Sequence, residues 1–474
     1  MTFKNLYILL LIYSLFAIVI IILERRRPEK TIAWLVIFLF FPPLGIFLYV
    51  FLGRNWKKRR LKDKRFNISE ELAEAYKIKI PSNKYCELME LLKNNSSSPI
   101  FCKNKVEVFD NGLEKFRVLK KELLKARHHI HLEYYIFKSD GIGTEIMDIL
   151  KKKAKEGVQV RLIIDKLGSL GLKKRDIKSL KEAGVDIVVY TYFLAPLLRI
   201  INTQINYRNH RKIVIIDGKI GFIGGINIGD EYLGKGELGY WRDTHLMIKG
   251  DCVLGLQAVF IDDFCMIKKI LDKKLGYKGN VEDYFKDFRY EGKILQLAKS
   301  GPDSENPAIM QAILMMINKA QHYIYITTPY FVPTESVMTA LKIAALGGIK
   351  IKILFPGKYD HFHVYYASRT YLSELISYGV EIYFYDKKAF IHSKVITVDG
   401  EVSMVGTANM DVRSFELNYE INTVIYDNEI TKQLENTFLK DIKNSYLIPK
   451  DYFKNATLKV KFLEALARVF SNLL

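Results

Sequence analysis

One polar pattern occurs twice in this chain of 474 residues, first from His210 and again from His392. Both copies read H-x-K-x4-D-x6-G-x-x-N, so the same residue types recur at identical spacing. Their polar members are His210, Lys212, Asp217 and Asn227 in the first copy, and His392, Lys394, Asp399 and Asn409 in the second. A repeat of this length in polar residues indicates a shared chemical task.

Each copy is predicted to form a β-hairpin. An apolar run follows the lysine, an Asp-Gly pair interrupts it, and a second apolar run follows, as in a two-residue hairpin turn. Alternate side chains of a strand share a face, so the His and the Lys of each copy point the same way. If the two copies pair about a pseudo-twofold axis, two imidazoles, two ammonium groups and two Asn amides meet in one pocket.

Such a pocket suits a phosphodiester. Lys and Asn donors would neutralise the non-bridging oxygens, one His would attack phosphorus, and the other would protonate the leaving oxygen. An ordinary His pKa near 6.5 allows either role near neutral pH. Asp217 and Asp399 are counted with the catalytic set, although Asp before Gly is also typical of a turn. Asn227 and Asn409 are expected to contact phosphate, with a turn role as the alternative.

The doubled motif resembles the signature of the phospholipase D superfamily, and its flanks resemble those of the cardiolipin synthase family. The similar flanks are Gly224–Tyr232 (GGINIGDEY), Tyr240–His245 (YWRDTH) and Asp411–Glu420 (DVRSFELNYE). The resemblance extends over nearly the whole chain. It implies a phosphohistidine intermediate, no metal, no cofactor, and transfer of a phosphatidyl group to an alcohol.

The resemblance also implies a carboxylate that orients each catalytic imidazole, as the Asp of a serine-protease triad does. Asp243 stands at the matching place downstream of His210, and Glu420 stands at the matching place downstream of His392. Members of the superfamily commonly use the N-terminal motif histidine as the nucleophile. The arginines that flank His210, Arg208 and Arg211, support the same choice, since nearby cations disfavour imidazolium.

The expected reaction is therefore cardiolipin synthesis from two phosphatidylglycerol molecules, with release of glycerol. A phospholipase D that passes the same intermediate to water is the first alternative, because pocket shape and water exclusion select the acceptor. A nuclease is the second alternative, since the chain carries a net charge of +20. His361 and His363 form an H-x-H pair, but without a third ligand at a recognisable spacing no metal site is expected.

The position of the basic charge favours a membrane over nucleic acid as the partner. Residues 1–66 hold 13 Lys and Arg against 3 Asp and Glu, beside uncharged stretches at residues 6–23 and 31–53. At 1.5 Å per residue these stretches would span about 27 and 34 Å as helices, against roughly 30 Å of bilayer hydrocarbon. They are expected to form a transmembrane hairpin. A cleaved signal peptide is the alternative for the first stretch, and a kinked or re-entrant segment for the second, which contains Pro42-Pro43.

The charges around these stretches predict a cell-membrane protein with its catalytic part on the cytoplasmic side. Eight Lys and Arg lie between residues 54 and 65, whereas the connector at 24–30 carries four basic and two acidic residues. The four cysteines form no dense framework, as expected of reduced thiols. Phosphatidylglycerol and anionic lipids are the expected partners, and nucleic acid is not.

A strand, a helix, a strand and a motif hairpin are predicted twice in the same order. The fold class is therefore α/β, with two similar lobes of mixed β-sheet flanked by helices. The lobes are expected at residues 96–270 and 290–448, after a basic linker at 54–95. Residues 452–474 are expected to form an amphipathic helix, which would lie in a membrane interface or pack on the catalytic core.

Overall fold

A computed structural model describes most of the chain beyond residue 67. The described residues are 12, 15, 18–19, 22–23, 28–41, 45, 68–76, 78, 80–190, 207–271, 284, 292–469 and 471. The chain divides into two compact units, one formed by Met1–Asp63 with Tyr192–Tyr207, and one by Lys64–Thr191 with Arg208–Leu474.

The first unit contains helix α1, Pro28–Phe40. Proline suits the first position of a helix, where a backbone N–H would have no partner. Among the residues that the structure describes, no helix is both long enough and apolar enough to cross a membrane. Most of residues 6–23 and 42–53 lie outside the described residues, so the predicted transmembrane hairpin is not confirmed.

The second unit is built on a sheet that, within the described ranges, has sixteen strands. Their order is β18-β12-β11-β9-β14-β15-β17-β8-β1-β7-β6-β5-β2-β3-β4, and β13 pairs with β7, while β10 and β16 pair separately. The strands are β1 Phe101–Asn111, β2 His129–Tyr134, β3 Gln159–Asp165, β4 Asp186–Tyr190, β5 Ile213–Ile216, β6 Ile220–Gly224, β7 Tyr240–Gly250, β8 Lys293–Ser300, β9 Tyr323–Thr327, β10 Phe331–Val332, β11 Lys350–Phe355, β12 Glu381–Tyr385, β13 Ala389–Ile391, β14 Val395–Val398, β15 Val402–Gly406, β16 Met410–Asp411, β17 Glu420–Tyr426 and β18 Ser445–Leu447.

Helices cover this sheet, as expected where strands are apolar on both faces. They are α2 Ile68–Ala75, α3 Cys86–Ser96, α4 Gly112–Lys125, α5 Gly141–Lys155, α6 Lys174–Glu182, α7 Cys252–Leu271, α8 Ala308–Lys319, α9 Glu335–Leu346, α10 Phe362–Ile376, α11 Val412–Glu416, α12 Asn428–Lys443 and α13 Leu458–Val469. A short 3₁₀ helix spans Asp230–Leu233.

The sheet consists of two similar halves. Read outward from the middle, the first half runs β1-β7-β6-β5-β2-β3-β4 and the second runs β8-β17-β15-β14-β9-β11-β12. In each half three strands are parallel, and the motif hairpin (β5–β6 or β14–β15) joins them antiparallel. The prediction of two similar mixed α/β lobes is confirmed. Because β1 pairs with β8, the two lobes share one continuous sheet.

Both motif hairpins turn where the sequence predicts. Asp217 and Gly218 have φ values of 54° and 64°, and Asp399 and Gly400 have values of 55° and 66°. Two successive residues with positive φ are characteristic of the type I′ turn, whose twist matches that of the flanking strands. Asp tolerates this conformation better than most residues, and Gly adopts it without steric cost.

The boundary of the predicted linker differs from the structure. Residues 86–95, expected within the linker, belong to α3, and Leu88 and Leu92 are completely buried in the core of the second lobe. Apolar side chains four residues apart lie on one helix face, so this short helix joins the core through that face. The second lobe therefore recruits chain from before the first lobe.

Candidate active site

The two motif histidines line a single cavity of about 470 Å³ between the lobes. His210 comes from the first lobe and His392 from the second. The two imidazoles and the two Asn side chains therefore meet in one cavity, as the repeat predicts. The other lining residues are Tyr135, Ile136, Arg208, Asn227, Glu231, Tyr232, Trp241, Tyr330, Val332, Asp360, His361, Val364, Asn409, Asp411, Arg413 and Asn418.

Backbone hydrogen bonds tie each histidine to the opposite lobe. The His210 N–H donates to the carbonyl oxygen of Tyr419 at 2.9 Å, immediately before β17. The His392 N–H donates to the carbonyl oxygen of Arg242 in β7 at 2.7 Å. Both histidines precede a strand of a motif hairpin, so the hairpin and the facing lobe together fix their positions.

The carboxylates that orient the histidines also cross between the lobes. His210 Nδ1 lies 2.9 Å from one carboxylate oxygen of Glu420 and 3.0 Å from the other. His392 Nδ1 lies 2.8 Å from Asp243 Oδ2. The sequence placed Asp243 and Glu420 correctly beside imidazoles, but it paired each with the histidine of its own lobe. That pairing is wrong, since each His–carboxylate pair joins the two lobes.

The two histidines differ in what faces Nδ1. A carboxylate only accepts hydrogen bonds, so Glu420 requires a proton on Nδ1 of His210 and leaves the lone pair on Nε2. At His392, Nδ1 lies 2.8 Å from Asp243 and 2.8 Å from the ammonium of Lys394, which only donates. Glu420 therefore favours one tautomer of His210, whereas Nδ1 of His392 faces a donor and an acceptor.

The motif lysines are buried beside the histidines. Lys212 Nζ donates to the carbonyl oxygen of His210 at 2.7 Å, and Lys394 Nζ donates to that of His392. Burial lowers the pKa of Lys212 to about 7 and that of Lys394 to about 8. Neither lysine lines the cavity, so the prediction that both ammonium groups face the pocket does not hold, and the charge they carry acts from behind the lining side chains.

Both imidazoles are neutral in the resting site at neutral pH. Burial lowers the pKa of His210, although the charge of Glu420 opposes this effect. Burial and the charge of Lys394 lower the pKa of His392 to about 4. Burial raises the pKa of the Glu420 and Asp243 carboxyls, but their cationic and histidine neighbours outweigh it, so both pKa values fall below their usual range.

The flanking arginines do not set the charge around His210 in the expected way. Arg211 is buried and forms an ion pair with Asp263. The largest charge effects on the pKa of His210 come from Glu420, which raises it, and Lys212, which lowers it. Arg211 does not act on His210 as expected, because neighbours in sequence alternate sides along an extended chain.

Asn227 and Asn409 both line the cavity but are not equivalent. The side-chain oxygen of Asn227 accepts a hydrogen bond from the Ile136 N–H at 3.1 Å, and its amide donates to the Tyr232 hydroxyl. In the described part of the chain, the buried Oδ1 of Asn409 has no hydrogen-bond partner. Asn227 therefore holds the cavity wall through its hydrogen bonds to Ile136 and Tyr232, whereas the Oδ1 atom of Asn409 remains able to accept a hydrogen bond.

The structure does not bring Asp217 and Asp399 into the cavity. The Asp217 carboxylate accepts from the backbone N–H groups of residues 127, 128 and 129, at 2.8 to 3.0 Å. The Asp399 carboxylate accepts from those of residues 321, 322 and 323, at 2.8 to 2.9 Å, and from the Lys84 ammonium at 2.9 Å. Each aspartate holds the segment that leads into the neighbouring strand, which is a structural task.

The sequence did not predict that Tyr330, Asp360 and Arg413 line the cavity, and it singled out Arg208 only as a neighbour of His210. Arg208 and Arg413 supply guanidinium groups from the two lobes, and Tyr330 donates a hydrogen bond to the Asp360 carboxylate. Arg413 lies in the flank that begins at Asp411, and this polar spacing could have identified it. Asp360 follows a buried strand without any comparable pattern, so the sequence carried no signal for it.

Comparisons with known proteins agree with this geometry. A family model described as cardiolipin synthase, PLD-like domain, matches residues 119–240 and 313–442, and a phospholipase D-nuclease N-terminal model matches residues 11–54. A cardiolipin synthase of Geobacillus sp. (strain WCH70) is 42% identical over 464 residues, covering 96% of this chain and 91% of the relative. One of Listeria innocua is 40% identical over 484 residues, covering 99% and 98%.

A solved structure shares the fold. The crystal structure of phosphatidylserine synthase from Haemophilus influenzae Rd KW20 superposes with a TM-score of 0.60 at 15% identity, over 82% of this chain and 98% of that one. The family models account for both lobes, and the relatives match the chain almost from end to end. The chain therefore belongs to the cardiolipin synthase family and is a phosphatidyltransferase with two phospholipase D-like lobes.

Proposed function

We propose that this enzyme transfers the phosphatidyl group of one phosphatidylglycerol to the hydroxyl of a second, giving cardiolipin and glycerol. The observation that carries the proposal is the pair of histidines on one cavity, His210 half-buried and His392 buried, each bonded to a carboxylate of the opposite lobe. Nucleophilic attack and leaving-group protonation need two separate groups, and this site supplies them.

In the first step, Nε2 of His210 attacks phosphorus of the bound phosphatidylglycerol. A P–N bond forms, the P–O bond to the headgroup glycerol breaks, and His392 gives its proton to the departing oxygen. The bound phosphodiester places a negative charge beside His392 and raises the pKa of its imidazole, which allows it to carry that proton. Glycerol then leaves the cavity.

In the second step, the primary hydroxyl of another phosphatidylglycerol attacks the phosphohistidine. His392 takes the hydroxyl proton, the new P–O bond forms, and the P–N bond breaks to restore His210. One phosphodiester is exchanged for another, so no nucleotide and no other cofactor is required. We assign the nucleophile to His210 because Glu420 favours the tautomer with a free lone pair on Nε2.

The remaining polar residues of the site stabilise charge. Arg208 and Arg413 line the cavity and are suited to bind the non-bridging phosphate oxygens, since a guanidinium group can donate two parallel hydrogen bonds to a phosphate. Lys212 and Lys394 add positive charge in a region of low dielectric constant, where it acts more strongly than in water. We assign Asn409 to phosphate contact, and Asp217 and Asp399 to the hairpins rather than to the chemistry.

We further propose that the enzyme works in the cell membrane, with its lobes on the cytoplasmic side. The uncharged stretches at 6–23 and 31–53 and the eight basic residues at 54–65 support an N-terminal anchor. The match of residues 11–54 to the N-terminal family model fits the same role. Phosphatidylglycerol and other anionic lipids are then its partners.

The test is to incubate the purified protein with phosphatidylglycerol alone and to resolve the lipid and water-soluble products. The proposal requires cardiolipin and glycerol in equal amounts, with loss of both in His210→Ala and in His392→Ala. His363→Ala is the matched control, because this exposed histidine does not line the cavity, and it should keep full activity. Phosphatidic acid as the main product would instead make the enzyme a phospholipase D.

A further inference from the structure

Helix α13 has one face on the catalytic unit and an opposite face in solvent. On the inner face, Arg369 of α10 donates to Glu464 at 2.7 Å, and Ala467 is buried. Tyr371 and Ser471 are joined by a hydrogen bond of 3.1 Å just beyond the helix. These contacts fix the rotation of α13 about its own axis.

The outer face of α13 is an apolar stripe. Its members are Leu458, Phe462, Leu466 and Val469, which are 85%, 67%, 45% and 73% exposed. At 100° per residue the four side chains fall within an arc of about 80°, and Lys459 and Lys461 flank this arc on its two sides. Single exposed apolar residues are ordinary, but four on one face of a 12-residue helix form a contiguous patch that needs a partner.

We propose that this stripe docks α13 on the surface of an anionic lipid bilayer. An apolar face bordered by lysines is the pattern of a helix that lies in the membrane interface, with its ammonium groups at the level of the lipid headgroups. The net charge of +20 adds attraction to anionic headgroups. The proposal rests on the proposed function in one respect: it takes the lipid surface that holds the substrate as the partner.

Docking at α13 would also set the distance between the bilayer and the cavity. Helix α13 packs on α10, and the start of α10 borders the cavity, since His361 and Val364 line it. A second contact, the ion pair between Arg468 and Glu374 at 3.2 Å, holds the same two helices together. The stripe is thus joined through this helix pair to two of the residues that line the cavity.

Quenching by nitroxide-labelled lipids tests the proposal directly. In the full-length protein the half-buried Cys86 and Cys102 are changed to Ser so that they do not react with the label, whereas Cys252 and Cys265 are buried and are kept. A fluorophore is attached at Phe462→Cys, and the protein is reconstituted in phosphatidylglycerol vesicles. The matched control is Leu113→Cys on α4, where the native residue is 65% exposed. Nitroxide-labelled lipids should quench the probe at position 462 roughly twofold more than at position 113.

Equal quenching at both positions, or none at position 462, would overturn the proposal. Self-crosslinking at position 462 without quenching would assign the stripe to a second copy of the chain and would also overturn it. The assay needs no turnover, so quenching without cardiolipin formation would refute the proposed function and leave the docking intact. As a second variant, Phe462→Glu should lower transfer in bilayers by roughly tenfold or more, yet by less than twofold in detergent micelles, whereas Leu113→Glu should change neither.

Discussion

Replacing Glu420 by Gln tests whether the second lobe controls the histidine of the first. The carboxylate lies 2.9 and 3.0 Å from Nδ1 of His210 and is completely buried. A hydrogen bond to a charged group contributes about 1.5–3 kcal/mol, which corresponds to a factor of roughly 10 to 150 in rate. The amide also donates, and donation to Nδ1 would move the proton to Nε2 and remove the nucleophilic lone pair. We therefore expect transfer to fall by roughly 10²–10⁴.

The assay is steady-state formation of cardiolipin, combined with an NMR titration of the histidine rings. Because the charge of Glu420 raises the pKa of His210, Glu420→Gln should lower that pKa further and leave His392 unchanged. Glu429→Gln on the surface of the same lobe is the control and should retain activity within twofold. Near-normal transfer by Glu420→Gln, or a shift in the pKa of His392 instead, would refute the crossed pairing.

Three further predictions concern other parts of the molecule. Asp217→Asn should lower the free energy of unfolding by roughly 1–3 kcal/mol in denaturant titrations, because three backbone N–H groups lose their charged acceptor. The folded fraction should keep its kcat. A large loss of kcat at unchanged stability would contradict this structural role. In the ligand-free enzyme, burial and Lys394 lower the pKa of His392 to about 4, so its ring should stay neutral as the pH falls from 8 to 5 and become charged near pH 4. Added inorganic phosphate should raise this pKa. A pKa at or above 6.5 in the ligand-free enzyme would contradict the electrostatic account. Deletion of residues 1–53 should leave the lobes folded, judged by circular dichroism, but release the protein from the integral membrane fraction; retention in that fraction after alkaline washing would contradict an N-terminal anchor.

The sequence predicted those features of the fold that depend on local pattern. The hairpins around Asp217 and Asp399 follow from apolar runs interrupted by Asp-Gly, since turn chemistry and strand periodicity both operate within a few residues. The duplication then predicted two lobes. The single sheet that runs through both lobes was not predictable, because β1 and β8, which pair at its middle, lie far apart in the chain and carry no local signal of their pairing.

The candidate site was predicted as a set of residues but not as a set of contacts. His210, His392 and the two Asn converge on one cavity as expected, while Glu420 and Asp243 exchange partners between lobes. The spacing between a motif histidine and the next matching carboxylate measures distance along the chain, whereas the partner of a side chain is fixed by how the lobes dock.

Trapping the covalent intermediate tests the central claim most directly. The enzyme is mixed with phosphatidylglycerol labelled at phosphorus and quenched in alkali, because phosphohistidine is labile in acid, and the labelled peptides are then sequenced. The account predicts one labelled peptide, the one that contains His210, and no label in His210→Ala. Cardiolipin formation without any labelled peptide, or label on the peptide that contains His392, would contradict it.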